Sequence, residues 1–384
     1  APYEVFEISD YTAKYYALMR IAIGENVGII CTANPSSILK MCEKGNEFSE
    51  EIIKDIHNGT LSRSFDIEPE IRTVLEKKFK ADPSKARVLE QLRAKRKGRL
   101  LPGDYWPDLA VIGCWKGGTV GHYLEKFPGW FDPDGTKPIP IRDWGYLSSE
   151  ARGSIPLSDE GSQGVLTVAT NFYEFVEVND LLANPDDYTK WNFLTTEQIE
   201  NEKEYYIFVT TTGGLYRYDI NDIIKVQGYY NKTPQIIFLR KGRGMTNITG
   251  EKLSVNQVID AFEDVNKETH IEVSHFKAEA DTAKSRYLFR VEFFQEIGDD
   301  DARKFLVGLD EDLKKINIEY KSKRDSLRLN TPIMHVMSEG WYERQRRKMV
   351  ESGKRAFQAK TQLLTPEKMQ TIKIKPELSR VIEV

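Results

Sequence analysis

At 384 residues the chain is long enough to bury more than one core, and a composition 40% hydrophobic and 30% charged describes a globular protein of two or three domains. The 55 basic and 59 acidic residues leave a formal charge of −4, which excludes the strongly cationic surface of a nucleic-acid binder. Cys31, Cys42 and Cys114 stand apart, in no CxxC pair and at no ligand spacing from a histidine, so structural zinc is not expected and a reducing, cytoplasmic setting is.

The N-terminus, "APYEVFEISD", has no initiator Met, no basic n-region and no apolar h-region, and reads as the start of a fragment. Residues 9–23 open on a Ser/Asp cap and place apolar residues at helical spacing, which predicts a helix. The β-rich run "NVGIIC" ends at Asn34-Pro35, and "SILKMCEK" then reads as a second helix, an α/β rhythm. Residues 48–98 are charge-rich and mostly helical. Their basic end, "RAKRKGR", reads as a solvated helix terminus whose cations complement the dipole. From 105 onward strands dominate, in "DLAVIGCW", "PIPIRDWGYLSSE", "QGVLTVATNFYEFVEV", "EYYIFVTTTGGLYRYDINDIIKVQGYY" and "PQIIFLR", with a short helix near "GHYLEKF". The longest apolar runs fall far short of the roughly 20 residues that span a bilayer. After the Gly- and charge-rich stretch 240–250, helices and strands alternate in an α+β pattern with its own core, so 240–250 is the expected linker.

Two familiar chemistries are excluded by spacing. In "KGRGMTNITGEK" five residues separate Gly244 from Gly250 and Glu251 follows, so the GxxxxGK[ST] phosphate loop is not present. His57, His122, His270, His275 and His335 form neither HExxH nor another metal spacing, and no nucleophile elbow is visible.

Three stretches carry more chemistry. "GYLSSEARG" ends a β-run in a tyrosine ring that can stack a base, two hydroxyls and a carboxylate suited to Mg²⁺; the alternative is a strand-to-turn transition in which Ser and Glu cap a following helix. "CWKGGTVGHY" sets Gly117-Gly118 behind a buried strand, where they permit close backbone approach to a planar ligand or simply form a turn. In "GGLYRYDINDIIKV", Gly213-Gly214 reads as a close approach, Tyr216 and Tyr218 as one strand face, and Asp222 either as a carboxylate placed to accept both hydroxyls of a ribose or as a loop residue of a hairpin.

Taken in order, these residues resemble the auxin-responsive, Gretchen Hagen type acyl-acid amido synthetases of the adenylate-forming superfamily. The resemblance rests on "GLYRYDINDIIKVQGYYNKTPQIIFLRK" against a family pattern close to GLYRYRVGDVLKVTGFYNKAPQFRF. "YLSSE", "TNFYEF" and Gln358-x-Lys360 add to it, and together they span about Asp10 to Lys360. It implies an α/β adenylate-forming fold: a large nucleotide- and acid-binding domain over 1–239 with sheets and a β-barrel layer, a hinge at 240–250 including Arg240, Gly242 and Gly244, and a smaller, mobile α+β domain over 251–384. ATP and Mg²⁺ are the implied cofactors. Glu150 would contact Mg²⁺; Tyr146, Ser148, Ser149, Gly117, Gly118 and Tyr173 would line the nucleotide pocket; Asp222 would hold the ribose; Lys360 would be the catalytic lysine of the C-terminal domain. Tyr15, Leu18, Met19 and Asn34 would shape the acid pocket, although core packing accounts for them equally well.

The chain departs from the family at three places. Asp219 and Asn221 stand where the family has Arg and Gly, and the proline after the Q-x-K motif is delayed. The family's Ser/Thr/Gly phosphate loop would lie upstream of Ala1, which makes the chain a C-terminal fragment or a short form. The implied reaction joins a small carboxylic acid to an amine or amino acid: the carboxylate attacks the α-phosphorus of ATP and releases pyrophosphate, and the amine then displaces AMP from the acyl-adenylate. An acyl-CoA synthetase and a non-catalytic nucleotide-binding fragment are the alternatives. A monomer with no nucleic-acid or membrane partner is expected.

Overall fold

The computed structural model describes residues 1–185, 187–351, 363–365 and 377–384, apart from the side chains of 119–122, 346 and 349–351. Two compact units emerge, one formed by Ala1–Thr167 with Gln227–Ile237 and the other by Val168–Val226 with Phe238–Val384.

In the first unit the predicted opening helix runs over Tyr11–Gly24. The Asp10 carboxylate accepts the Ala13 N–H at 2.6 Å, satisfying a donor that the helix leaves unpaired. Its Ala13, Tyr16, Ala17 and Ile23 are fully buried, the three- and four-residue spacing of one helix face. Strand β1 (Ile29–Cys31) runs into Asn34, whose side chain accepts the Ser36 N–H at 2.9 Å and, with Pro35 at the first helical position, starts the helix Pro35–Glu47. The charge-rich segment forms helices Ser49–Asn58, Pro69–Glu76 and Pro83–Lys95. Two arginines of its basic end form ion pairs: Arg93 with Glu50 at 2.6 Å, and Arg96 with Asp104 at 2.9 Å and Asp134 at 2.6 Å.

Strands β2 (Val111–Gly113) and β3 (Ile141–Arg142) join β1 in a three-stranded parallel sheet, order β1-β2-β3. Parallel neighbours need crossover connections, and here the helices supply them while burying the apolar faces. The antiparallel strands β4 (Ser154–Ile155) and β5 (Gly164–Leu166) follow, with Ser154 opposite Leu166.

In the second unit β6 (Phe172–Glu177), β7 (Glu204–Thr210) and β8 (Tyr218–Tyr230) pair antiparallel. Strands β8 and β9 (Thr233–Lys241) each run across the division in sequence. Beyond them lie the short β10 (Met245–Thr246) and β11 (Leu253–Ser254), then β12 (Val273–Asp281), β13 (Arg286–Phe293), β14 (Ile333–Met337), β15 (Leu364–Thr365) and β16 (Leu378–Ile382). The last five form one sheet, order β15-β12-β13-β14-β16. One face of it, with Ala278, Ala280, Phe289 and Val291, packs on Phe262 and Val265 of the helix Val255–Thr269 and on Phe305 and Leu309 of the helix Asp299–Ile316. The fold is thus mixed α/β with several sheets and an α+β C-terminal part, as expected. Lys360 lies outside the described residues.

Candidate functional site

The loops that leave the carboxyl ends of the three parallel strands meet at one edge of the first unit, the place where open α/β sheets bind ligands. Main-chain bonds hold them together: the Thr32 N–H donates to Gly113 O at 3.0 Å, Trp115 N–H to Ala33 O at 2.9 Å, and Cys114 N–H to Arg142 O at 3.1 Å. These loops are "CTANPSS", "CWKGGT" and "DWGYLSSE"; the last two belong to stretches singled out in sequence, and the first carries the proposed acid-pocket residue Asn34.

A buried carboxylate joins two of them. Asp143, 6% exposed, accepts the Lys116 N–H at 2.6 Å with Oδ2 and the Gly145 N–H with Oδ1. Burial raises its pKa, and these N–H groups together with the Lys116 charge oppose the rise. One side chain therefore sets both the approach to Gly117-Gly118 and the entry to Tyr146–Glu150. Trp115 and Trp144 meet edge to face above it, ring centres 6.2 Å apart.

The Tyr146–Glu150 stretch is a turn with no helix behind it, so the capping alternative is replaced by local pairing. Ser148 N–H donates to Ala151 O at 3.0 Å, Ala151 N–H donates to Ser148 Oγ at 3.2 Å, and Leu147 bridges Arg152. Ser154 Oγ accepts the Tyr146 N–H at 2.9 Å, and the Tyr146 ring lies on Gly153, where an added Cβ would sit 2.3 Å from Cδ1. Ser149 is exposed and Glu150 half-buried. Gly118, at φ +66°, starts a 3₁₀ helix, Gly118–Lys126.

Of the four acid-pocket residues, Asn34 is the helix cap described above. Met19 is core, 1% exposed, with its Cε lying over Gly45, 2.8 Å from where a Cβ there would sit. Tyr15 is buried and Leu18 packs partly buried against the same core.

In the second unit the hairpin differs from its sequence reading in two respects. Tyr216, 83% exposed, belongs to the turn, because β8 begins only at Tyr218; the two tyrosines do not share a strand face. Gly214 serves its φ of +99° rather than a close approach, since an added Cβ there would meet nothing within 4 Å. Asp222, 3% exposed, has Lys241 Nζ at 2.6 Å from Oδ1. Tyr173, 2% exposed, sits on β6, on the far side of β7 from β8, where its hydroxyl accepts from Asn171 Nδ2 at 3.0 Å. Arg240 is the penultimate residue of β9, Gly242 packs where a Cβ would fall 2.3 Å from the Tyr206 ring, and Gly244 adopts φ +60°.

Sequence reasoning missed two groups besides Asp143. Glu174 receives both arms of Arg217, Nε at 2.8 Å and NH2 at 2.6 Å, with the guanidinium 4.3 Å from the Phe193 ring centre. Arg243 pairs with Asp219. Only the GLYRY motif pointed toward the first; nothing local pointed toward the second. Among the described residues no group of three or more His, Cys, Asp or Glu is arranged to hold a metal.

Residues 1–135 match the GH3 family N-terminal domain, 164–241 the GH3 family central domain and 255–368 the GH3 family C-terminal domain. The chain belongs to the GH3 family. Indole-3-acetic acid-amido synthetase GH3.2 of Arabidopsis thaliana is 26% identical to this GH3 chain over 281 residues, 70% of this chain and 49% of that protein. Jasmonoyl-L-amino acid synthetase JAR4 of Nicotiana attenuata is 25% identical over 260 residues, 66% of this chain and 43% of that protein. The GH3 chain therefore spans about half the length of these curated relatives. The solved GH3.15 acyl acid amido synthetase has the same fold, with a TM-score of 0.52 at 18% identity, over 100% of this chain and 67% of that one. No helix among the described residues is long and apolar enough to cross a membrane.

Proposed function

We propose that this GH3 chain serves an ATP-dependent acyl-acid amido synthetase, which adenylates a small carboxylic acid and passes the acyl group to an amine or amino acid. The observation that carries the reading is the strand-end cluster in which Asp143 holds Gly117-Gly118 and Tyr146–Glu150 in fixed register. The cluster offers a base a ring to stack on, backbone to approach and neutral hydroxyls to bond, the groups a nucleotide needs. Asp222 is the proposed ribose acceptor and Tyr173 a proposed nucleotide contact, with 240–250 the proposed pivot of a mobile C-terminal domain over 251–384 that brings Lys360 to the phosphate.

Mg²⁺ fits this site as a passenger of the nucleotide. Glu150 supplies a single half-buried carboxylate, and Mg²⁺ takes one or two protein carboxylates and fills its remaining positions with phosphate and water. When bound, it would offset negative charge on the phosphates. The chain's own part is positioning: backbone and hydroxyl donors orient the nucleotide so that the acid's carboxylate oxygen meets the α-phosphorus in line with the departing pyrophosphate. The amine nitrogen then forms its bond to the acyl carbon, AMP leaves with the carbonyl-bound oxygen, and the nitrogen gives up a proton.

Relatives named for indole-3-acetic acid and jasmonate make those two acids the first substrates to try. The proposal includes a monomeric, cytoplasmic enzyme whose partners are the acid, the amine and ATP. Its test is acid-dependent exchange of labelled pyrophosphate into ATP across a panel of auxin-like and jasmonate-like acids, followed by comparison of amino acids with CoA as acceptors. Exchange followed by amide formation supports the reading. Thioester formation moves the chain to the acyl-CoA synthetases, and nucleotide binding without exchange leaves a non-catalytic nucleotide-binding fragment.

A further inference from the structure

The register of β7 against β8 is irregular at one step. Ile207 faces Asp222, yet the next residue, Phe208, faces Asp219, so Ile220 and Asn221 are extra on β8. Cross-strand partners share a sheet face. Asp222 therefore lies on the face of Ile207 and Phe175, and Tyr173, two residues from Phe175, lies on that face too. Asp219 lies on the opposite face with Phe208 and Glu174. The three-residue spacing alone puts the two aspartates on opposite faces; what the two-residue bulge adds is register, setting Asp219 opposite Phe208 rather than two residues further along β7, at Thr210.

The bulge is fastened from one side. Asn221, at φ +54°, gives its Oδ1 to the Arg243 N–H at 2.9 Å and donates Nδ2 to Arg243 O at 3.0 Å; the Gly242 N–H donates to Asn221 O at 2.7 Å. The Arg243 side chain closes the clamp. Its guanidinium pairs with Asp219, donates to Pro185 O at 2.9 Å, and lies 5.1 Å from the Trp191 ring and 5.6 Å from the Tyr206 ring. A planar guanidinium held by a carboxylate and two rings has little freedom to move. The charge reversal at position 219 is thus answered by a cation on the next strand's exit.

We infer that the Asp219–Arg243 pair positions Asp222 for a ribose: it pins the two-residue bulge so that Asp222 keeps its register opposite Ile207 while Lys241, two residues before Arg243, stays beside it. Arg243 touches no reacting atom and acts through the bulge. The inference rests on the nucleotide reading of Asp222.

The test titrates ATP with Mg²⁺ calorimetrically into the wild-type chain, Asp222→Ala, Arg243→Ala and the exchanged pair Asp219→Arg/Arg243→Asp, with thermal unfolding measured for each. Arg243→Ala is expected to weaken ATP binding about tenfold in a protein that still unfolds cooperatively, and the exchanged pair to recover at least about a third of that loss, a coupling that independent sites do not show. If Arg243→Ala fails to fold, Arg243→Gln replaces it with the same outcomes. Equal binding by wild type and Arg243→Ala, with Asp222→Ala weakened, overturns the inference alone. A wild type that binds no ATP, or one matched by Asp222→Ala, overturns the nucleotide reading of Asp222 and the inference with it.

Discussion

The Asp143 carboxylate accepts the Lys116 N–H at 2.6 Å, fixing to the end of β3 a loop that leaves β2. Its other oxygen accepts the Gly145 N–H, so both oxygens face donors. Asp143→Asn keeps one acceptor and turns an NH₂ toward the other N–H. This variant should weaken ATP binding about tenfold or more and cost about 1–3 kcal/mol of stability, the range for a buried donor left without its acceptor. Calorimetric titration and urea unfolding measure the two effects. Unchanged binding would remove Asp143 from the site.

The same residue gives a signed pH effect. Burial raises the folded-state pKa of Asp143 above the unfolded value, so the folded protein takes up this proton first. Its contribution to stability is fully present below the unfolded-state pKa and is lost as pH rises through the raised folded value. The stability margin of wild type over Asp143→Asn should therefore narrow as pH rises from the ordinary carboxylate range, about pH 4, through the raised folded value, read from urea midpoints at each pH. A margin that widens with pH would mean that the N–H bonds outweigh desolvation.

Much of this was legible in the sequence where it is written locally. The Asp10 cap and the Asn34-Pro35 helix start are short-range signals, and the strand-end loops at 114–118 and 145–150 announce themselves by glycine and hydroxyl content. What the sequence does not write is register. Asp219 and Asp222 are three residues apart, yet they face adjacent residues of β7, Phe208 and Ile207, because a two-residue bulge intervenes. Asn221 replaces a family glycine without breaking the turn because asparagine tolerates the left-handed φ that the position requires. Asp143 and Arg243 meet their partners across 27 and 24 residues, and no spacing rule connects them.

Glu174 and Arg217 offer a test of an ion pair at the edge of burial. The acid is 9% exposed and receives both guanidinium arms, which raises the Arg217 pKa chiefly through that hydrogen bonding. Arg217→Ala strips the partner from a buried carboxylate and should destabilise by about 1–3 kcal/mol, whereas Glu174→Leu/Arg217→Ala should recover part of the loss. A double-mutant cycle in urea reads the coupling, and strictly additive effects would contradict it.

A more deeply buried network lies on the polar face of the C-terminal sheet. Arg290, 1% exposed, forks onto Glu279 at 2.9 and 3.0 Å and meets His335 Nδ1 at 2.9 Å. Removing one partner leaves a buried charge uncompensated, so Glu279→Leu alone should cost about 3–5 kcal/mol, while Glu279→Leu/Arg290→Met should cost much less. Thermal unfolding distinguishes the pair from the single variant.

Glu251 bears on how far the segment 240–250 can flex. Its carboxylate, fully buried, accepts the Ile248 N–H at 2.7 Å, the Thr249 N–H at 2.9 Å and the Tyr287 hydroxyl at 2.7 Å, and Gly250 N–H donates to Asn247 Oδ1 at 2.7 Å. The C-terminal half of the segment is thereby tied into the C-terminal sheet. Glu251→Gln presents an NH₂ to one of these donors and should cost about 1–3 kcal/mol, with amide exchange at 248 and 249 accelerated roughly in proportion. If the segment turns as a pivot, its φ and ψ changes fall near Gly244 and Met245, between this anchor and the Arg243 clamp. Exchange that accelerates at 248–249 but not at 241–243 in Glu251→Gln is the expected pattern, and equal acceleration at both would show a single cooperative loop.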